Sequence, residues 1–134
     1  MRIKKEFRFE ASHILPNHPG KCSRLHGHSW RMWVTVEGLV QPATGFVIDF
    51  FDLKHVVNEA VIAKVDHTHL GFDSAVITHR HFDPSTSVYP SSENLAQLFS
   101  QWLAKPLANF GVTLVELELS ETCTSSAIWR NGDN

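Results

Sequence analysis

The segment KCSRLHGHSW, residues 21–30, combines residue types that bind metals and move protons. Cys22 stands four positions before His26, and one glycine separates His26 from His28. Imidazole and thiolate both suit Zn²⁺ and its neighbours, while a thiolate beside a cation can also act as an acid or a base. The segment is therefore compatible with a closed structural metal site, a site that performs chemistry, or a histidine-rich loop.

Two segments of alternating polarity place histidines on one face. Residues 2–12 alternate apolar and charged side chains, and His13 follows on the apolar parity where such a strand would end. Residues 26–36 alternate too, so His26 and His28 share a face, about 6.5–7 Å apart along the strand. If the two strands pair as a hairpin, His13 can supply a third ligand. Three neutral imidazoles favour zinc or a similar late transition metal.

The position of Cys22 leaves two kinds of site open. Three protein ligands leave a tetrahedral ion with one open position, as in catalytic zinc sites, whereas structural sites usually have four. Cys22 either completes a structural Cys-His₃ site or stays off the metal as a reactive thiolate. A His-x-His pair alone is more often a pair of solvent-exposed surface residues than a metal site. The same spacing recurs in the "DHTHL" segment and in a polar loop, where we interpret His79 and His81 as solvated.

Two acidic residues occupy positions where a carboxylate could take part in catalysis or bind a ligand. Asp66 directly precedes His67 where a helix gives way to a turn, and a carboxylate there can orient an imidazole. The same position suits a helix-end or turn residue. Glu121 lies on an otherwise apolar strand face. It therefore lies either at the solvent-exposed end of the strand or in a pocket, where a ligand with adjacent N–H groups could be its partner.

The elements that position these residues begin with the two strands described above. FVIDF, residues 46–50, predicts a short strand or the end of one. Apolar residues at helical spacing then predict a first helix that runs from Asp52 to about Val65. Either Asp49 or Asp52 can cap its start.

The second half of the chain predicts a helix followed by two strands. A long polar loop, residues 71–90, precedes a helix that is capped by Ser91 or Ser92 and limited by Pro106. VTLVELELSETC alternates as a strand, and SAIWR predicts a last one. Charged strand faces opposite apolar ones favour a four-stranded antiparallel sheet with both helices on one side. The chain is thus predicted to be one α+β domain, residues 1–134, of order ββααββ.

Composition excludes several classes of protein. The 134 residues, 43% of them hydrophobic, suffice for one domain with its own core. A net charge of -2 argues against nucleic-acid binding, which needs a basic face. The chain has no apolar run long enough for a membrane span, and its start lacks the apolar region of a signal peptide. We therefore expect a cytoplasmic protein in which Cys22 and Cys123 form no disulfide.

Taken together, the motifs point to a known family. FEASH, CSRLHGHSW, GFVIDFFDLK, VDHTHL, PSSENLA and ETCTSSAIW occur in one order. The set closely resembles the 6-carboxytetrahydropterin synthases of the queuosine pathway, which are bacterial relatives of 6-pyruvoyltetrahydropterin synthase. The resemblance runs from about residue 5 to about residue 130. The Cys-x₃-His-Gly-His motif, joined to a later Asp-His and Glu-Thr-Cys-Thr, is far more specific than any one motif.

The resemblance implies roles for the residues of the first segment. His13, His26 and His28 would hold zinc, and Cys22 would be the catalytic acid and base and not a ligand. Members of the family share the tunnelling fold, a four-stranded antiparallel sheet with two helices. They assemble as trimers whose sheets join into a barrel, usually paired into hexamers, with active sites between subunits.

The resemblance also implies how the substrate is held. His67 would be the charge-relay partner of the cysteine, together with Asp66. Glu121 would hold the amino-pyrimidinone edge of a pterin. Other residues that would border the same pocket are Thr122, Ser92 and Glu93.

The implied substrate is 7,8-dihydroneopterin triphosphate. Zinc can ligate its side-chain hydroxyls and stabilise an alkoxide, while Cys22 moves protons on the side-chain carbons. Loss of triphosphate and acetaldehyde would leave 6-carboxy-5,6,7,8-tetrahydropterin. Candidate cations for the triphosphate, equally readable as surface charge, are Lys21, Arg24 and Lys54.

Two other functions stay open on the sequence. An enzyme of the 6-pyruvoyltetrahydropterin synthase type would stop after triphosphate loss. A non-catalytic zinc module would use Cys22 as a fourth ligand. The chain also departs from its relatives at Gly71, where Asn is common, and in the length of the following loop. These departures leave the metal residues and Cys22 untouched but bear on substrate choice.

Overall fold

The computed structural model describes residues 1–70 and 89–133, which form one mixed sheet with helices packed on one face. The predicted polar loop, with His79 and His81, lies outside the described residues except at its end. No helix in the described ranges is long and apolar enough to cross a bilayer. In chain order the strands are β1 Arg2–His13, β2 His26–Glu37, β3 Thr68–Leu70, β4 Thr113–Thr122 and β5 Ser125–Arg130.

The sheet has the strand order β3-β1-β2-β4-β5. β1 and β2 form the predicted antiparallel hairpin, in register from Arg2↔Glu37 to His13↔His26. The α+β prediction is confirmed, but the expected sheet of four antiparallel strands is wrong. A fifth strand, β3, runs parallel to the end of β1 with Ala11 opposite Thr68. Three residues, all buried, are too few to show any period in the sequence.

Alternation in the strands separates a core face from a charged face. In β1 the residues Phe7, Phe9 and Ala11 are buried, while their neighbours face outwards. The outward side chains pair across the sheet. Between β1 and β2, Arg2 pairs with Glu37 at 2.6 Å and Arg31 with Glu6 at 3.0 Å, while Arg8 pairs with Glu6 of its own strand at 2.9 Å. These exposed pairs set cross-strand partners more than they add stability.

The first helix begins earlier than predicted. α1, Phe50–Val57, continues through a π-helical segment, Asn58–Ile62, into α2, Ala63–Val65. The Asp49 side chain caps it by accepting from the backbone N–H of Phe51 at 2.8 Å. The strand expected at residues 46–50 is therefore wrong, because this stretch forms a bend and the helix cap. Its apolar pair, Val47 and Ile48, is buried without joining the sheet.

The second long helix, α3, spans Ser92–Ala108 and passes through Pro106, which was expected to limit it. Its cap is Ser91, whose hydroxyl accepts from the backbone N–H of Asn94 at 3.3 Å. The helix continues past the proline because Leu107, one residue later, is fully buried in the core. Burial of that side chain outweighs the backbone hydrogen bond that proline removes.

Aromatic side chains fill the core beneath the end of the β1–β2 hairpin. The rings of Phe9 and Trp30 stack with centroids 5.8 Å apart, and Phe99 of α3 meets Phe9 edge-on at 6.1 Å. The indole N–H of Trp30 donates to the carbonyl of Ala11 at 3.1 Å. These packed aromatic rings support the end of the hairpin, where the histidines lie, from the core side.

Candidate active site

Three histidines converge at the end of the hairpin. His13 lies directly opposite His26 in the register, and His28 lies opposite Ala11. The ring centroids are 4.4 Å apart for His13 and His26, 5.0 Å for His13 and His28, and 4.9 Å for His26 and His28. The shared strand parity inferred from the sequence thus brings all three imidazoles together on the core face.

A carboxylate from β4 completes the group. Glu121 Oε1 lies 2.8 Å from His28 Nε2 and 3.4 Å from His13 Nε2, and those two nitrogens are 3.1 Å apart. The four possible ligand atoms of this cluster, including one from His26, lie within 4.8 Å of one another. A tetrahedral ion with bonds of about 2.0–2.1 Å has donor–donor distances of about 3.3 Å. The cluster therefore has dimensions that suit one small cation.

Backbone carbonyls orient two of the imidazoles. His13 Nδ1 lies 2.8 Å from the carbonyl oxygen of Pro90, and His26 Nδ1 lies 2.7 Å from that of Arg24. A carbonyl oxygen only accepts hydrogen bonds, so each Nδ1 carries the hydrogen. The Nε2 of each ring is then left with a free lone pair that can bind a metal. The Nε2 of His26 is buried and has no hydrogen-bond partner among the described residues. An orphaned imidazole nitrogen beside two more imidazoles fits a late transition metal.

Burial favours the neutral form of two of the imidazoles by lowering their pKa. It lowers the pKa of both His13 and His28 below the usual 6.5, against the opposing effect of the Glu121 carboxylate, which raises it. For His13 the hydrogen bond to the carbonyl of Pro90 also opposes the effect of burial. A metal needs deprotonated ligands, so burial prepares the site for a cation at neutral pH.

Cys22 lies outside this cluster. It occupies a single 3₁₀ turn, Lys21–Ser23, and is half-buried with a free thiol. Its carbonyl accepts from the backbone N–H of Leu15 at 2.8 Å, which closes the loop between β1 and β2. Within the described residues, the fourth ligand position is taken by Glu121 and not by the cysteine. This arrangement does not support a closed Cys-His₃ site.

Asp66 and His67 form a preorganised pair elsewhere on the sheet. Asp66 Oδ1 lies 3.0 Å from His67 Nδ1 and accepts from the backbone N–H of Glu10 at 2.9 Å. The backbone N–H of His67 donates to the carbonyl of Glu10 at 2.6 Å. His67 has φ of +59°, a left-handed conformation that a residue with a side chain rarely adopts. The side chain of His67 is 74% exposed, so packing of that side chain in the core does not explain the strained backbone.

This pair does not belong to the ligand cluster, although the cleft beside it reaches one of the three histidines. His67 lines a cleft of about 540 Å³ together with Glu10, Ser12 and Ser29, and His28 of the cluster lines it too. His69 also lines the cleft and lies 2.9 Å from the Ser12 hydroxyl through its Nδ1. One chain therefore does not bring His67 into the cluster of three histidines and Glu121.

Comparison with known proteins gives the chain a family. The profile described as 6-pyruvoyl tetrahydropterin synthase matches residues 2–132. The chain belongs to this family. The family resemblance inferred from the motifs is thereby confirmed.

Relatives of this 6-pyruvoyl tetrahydropterin synthase family member cover nearly its whole length. It is 40% identical to the 6-carboxy-5,6,7,8-tetrahydropterin synthase of Synechocystis sp. over 93% of this chain and 89% of that protein. It is 34% identical to the 6-pyruvoyl tetrahydrobiopterin synthase of Pongo abelii, over 83% and 71%. Its fold is similar to the 6-pyruvoyl tetrahydropterin synthase structure of Caenorhabditis elegans, with a TM-score of 0.79, 24% identity and coverage of 98% and 95%.

Of the other residues that were predicted to bind substrate, one contacts the cluster of this family member through its side chain. The Ser92 hydroxyl donates to Glu121 Oε2 at 2.8 Å and so belongs to the site. Thr122 is exposed at the end of β4, and Glu93 lines a separate groove beside Trp129. Arg24 is exposed and contributes its carbonyl to His26. Lys21 and Lys54 are exposed.

Sequence reasoning missed two functional groups, the carbonyls of Pro90 and Arg24. A backbone carbonyl carries no residue identity, so no sequence signal could have marked either group. Reasoning from the sequence also left the direction of Glu121 open. In the structure Glu121 keeps the core-facing parity of Leu117 and Leu119, and a register shift lies between Ser120 and Thr122.

Proposed function

We propose that this chain is a zinc-dependent carbon–carbon lyase, a 6-carboxy-5,6,7,8-tetrahydropterin synthase that acts in the cytoplasm. It would convert 7,8-dihydroneopterin triphosphate into 6-carboxy-5,6,7,8-tetrahydropterin, acetaldehyde and triphosphate, a step of queuosine biosynthesis. The observation that carries the proposal is the cluster of three imidazoles and one carboxylate, with a free thiol outside it. The similarity to the Synechocystis enzyme supports the choice of product.

His13, His26 and His28 would hold the zinc through their Nε2 atoms. Bound zinc supplies a Lewis acid that makes the side-chain hydroxyls of the substrate more acidic. Burial in the chain favours the neutral form of His13 and His28 by lowering their pKa, and backbone carbonyls fix His13 and His26. Trp30, which meets both His13 and His28 edge-on at 5.2 Å and 5.4 Å, keeps water from beneath the site.

Cys22 would transfer protons at the side-chain carbons of the substrate. Its thiol is free, half-buried and outside the ligand cluster, so metal binding does not consume it. A nearby cation favours the thiolate, which is the form that accepts a proton. A positioned acid–base group of this kind contributes about 10²–10⁴ in rate.

Glu121, supported by Ser92, would anchor the amino-pyrimidinone edge of the pterin. A carboxylate can accept two parallel N–H bonds from this edge, as it does from a guanidinium group. Such a contact fixes orientation as well as affinity. Thr122 and Glu93 would complete the border of the pocket, and Arg24, with its exposed side chain, would meet the triphosphate.

The site would be completed by a second copy of the chain. Asp66 and His67 lie outside the ligand cluster of their own chain, so they would serve the Cys22 of a neighbouring subunit. Two open sheet edges favour such assembly, namely β5 and residues 2–9 of β1, which have no further strand beside them among the described residues. Closure of a sheet into a barrel removes exposed edges. We therefore propose a trimer with a joined barrel, paired into a hexamer.

Product analysis tests the reaction. The purified zinc-loaded protein with 7,8-dihydroneopterin triphosphate should release acetaldehyde and triphosphate in equal amounts. Release of triphosphate alone, with a pyruvoyl product, would instead assign the activity named for the Pongo abelii relative.

A single variant tests the placement of the cysteine. Cys22→Ala should keep its zinc and lose turnover, because the thiol lies outside the cluster. Cys123→Ala is the matched control, since that cysteine is exposed in the turn after β4, and it should keep both zinc and activity. Joint loss of zinc and stability in Cys22→Ala would point to a structural zinc module.

A further inference from the structure

Glu121 is held from two sides by groups of different kinds. Its Oε1 faces His28 Nε2 at 2.8 Å and His13 Nε2 at 3.4 Å, while Oε2 accepts from the hydroxyl of Ser92 at 2.8 Å. Its side chain is 21% exposed, so the carboxylate lies at the boundary between the buried His13 and the outside. The residue thus has access both to a bound ion and to an incoming ligand.

The distances around Oε1 suit a shared metal ion. The separations between Oε1, His28 Nε2 and His13 Nε2 are 2.8, 3.1 and 3.4 Å. These values lie near the roughly 3.3 Å between neighbouring donors in a tetrahedral zinc site. Of the four possible ligands, Glu121 supplies a carboxylate oxygen, the ligand type whose charge best balances a divalent cation.

The four possible ligands differ in how firmly they are held. His13 and His26 are each fixed by a backbone carbonyl, and the hairpin register fixes the spacing of all three histidines. Glu121 stands at a register shift of β4 and is held by a serine hydroxyl on a separate element, α3. The extra residue of a bulge is left unpaired in the ladder, so Glu121 is held less firmly than the histidines of the hairpin. Glu121 is therefore the ligand that can leave.

We propose that Glu121 is an exchangeable fourth metal ligand. Without substrate, its carboxylate closes the coordination of the metal held by the three histidines. When an amino-pyrimidinone ring binds, the ring's two N–H groups take both carboxylate oxygens, and the metal gains an open position. The inference rests on the proposed function, since it assumes that Glu121 also binds the pterin edge. One carboxylate cannot bind the metal and both N–H groups of the ring at once, because the metal contact and the ring contact both need Oε1.

The consequence is a metal that opens only with its substrate. A closed four-ligand site resembles structural zinc, which performs no chemistry, while a three-ligand site with an open position is catalytic. The exchange would couple recognition of the ring to exposure of the metal at the side chain. Premature activation of water on the metal would be avoided.

Cobalt(II) in place of zinc gives a readout independent of turnover, because its visible absorption reports ligand number and type. The probe is 2-amino-6-methylpyrimidin-4-one, which carries the recognition edge but has no hydroxylated side chain to bind the metal. We expect saturation with this probe to shift the spectrum of the native protein towards that of Glu121→Gln. The spectrum of Glu121→Gln itself should not respond. Metal affinity should fall about 10–100-fold in this variant.

Glu118→Gln is the matched control. Glu118 lies on the same strand, but its carboxylate accepts from the hydroxyl of Ser126 on the outer face, away from the histidines. This variant should leave the cobalt spectrum, the metal affinity and the response to the probe unchanged.

Three results would overturn the exchange, and calorimetry of probe binding separates them. Identical spectra of the native protein and Glu121→Gln without probe would show that the carboxylate never binds the metal. An unchanged native spectrum at measured saturation would show a permanent ligand. Absence of any probe binding would remove ring recognition by Glu121, and with it that part of the proposed function, while the spectral comparison would still report metal contact.

Discussion

Replacement of Asp66 with asparagine separates two contacts of one carboxylate. Oδ1 accepts from the backbone N–H of Glu10 at 2.9 Å and also faces His67 Nδ1 at 3.0 Å. Asparagine keeps an oxygen that can accept from Glu10, but it carries no charge for the imidazole. Asp66→Ala removes both contacts and serves as the matched comparison.

The two variants should differ in stability. The pair with His67 is exposed by 37% and 74%, so its loss costs less than about 1 kcal/mol. Asp66→Asn should therefore stay within about 1 kcal/mol of the native protein. Asp66→Ala also leaves the N–H of Glu10 without its partner, which adds about 1–2 kcal/mol. Equilibrium unfolding in urea, followed by tryptophan fluorescence, measures both differences.

The two variants should be alike in activity. If His67 relays protons in the proposed reaction, its orientation depends on the charge of Asp66, which both variants lack. Loss of an oriented acid–base group costs about 10²–10⁴ in kcat. The release of acetaldehyde measures turnover. Zinc content should not change, because Asp66 does not belong to the ligand cluster.

Two outcomes would refute this reasoning. Asp66→Asn with turnover close to that of the native protein would show that the charge does not orient a working imidazole. Equal destabilisation by Asp66→Asn and Asp66→Ala would show that the contact with Glu10 does not survive in the amide.

Three further predictions concern backbone strain, the core and pH. His67 has φ of +59°, so His67→Gly should be about 1 kcal/mol more stable in urea than His67→Ala; equal stability would argue against strain. Phe99→Ala should cost about 3–5 kcal/mol in the same assay because the ring is fully buried, and a loss below about 1 kcal/mol would contradict its place in the core. Burial lowers the pKa of His13 and His28 below 6.5, so the unfolded chain binds more protons at acid pH. The metal-free protein should therefore lose stability as the pH falls below about 6.5, and urea unfolding that showed a gain would reverse the sign of this argument.

Periodicity predicted most of the framework of the fold. Alternation located β1, β2, β4 and β5, and the apolar stripes located both long helices, because burial on one face imposes a period of two or of 3.6 residues. Where residues escape that pattern, prediction failed. β3 has three residues, all buried, and the stretch at residues 46–50 is buried without a strand partner.

The sequence by itself determined that His26 and His28 share a face, because strand parity is a local property of the backbone. It also placed His13 at the matching end of its strand. Only the tertiary structure decided that the carboxylate of Glu121, 95 residues after His26 in the chain, reaches the same cluster. It also decided that Asp66 and His67 lie outside that cluster. Contacts between distant segments depend on how the sheet and helices pack, and no local period encodes that packing.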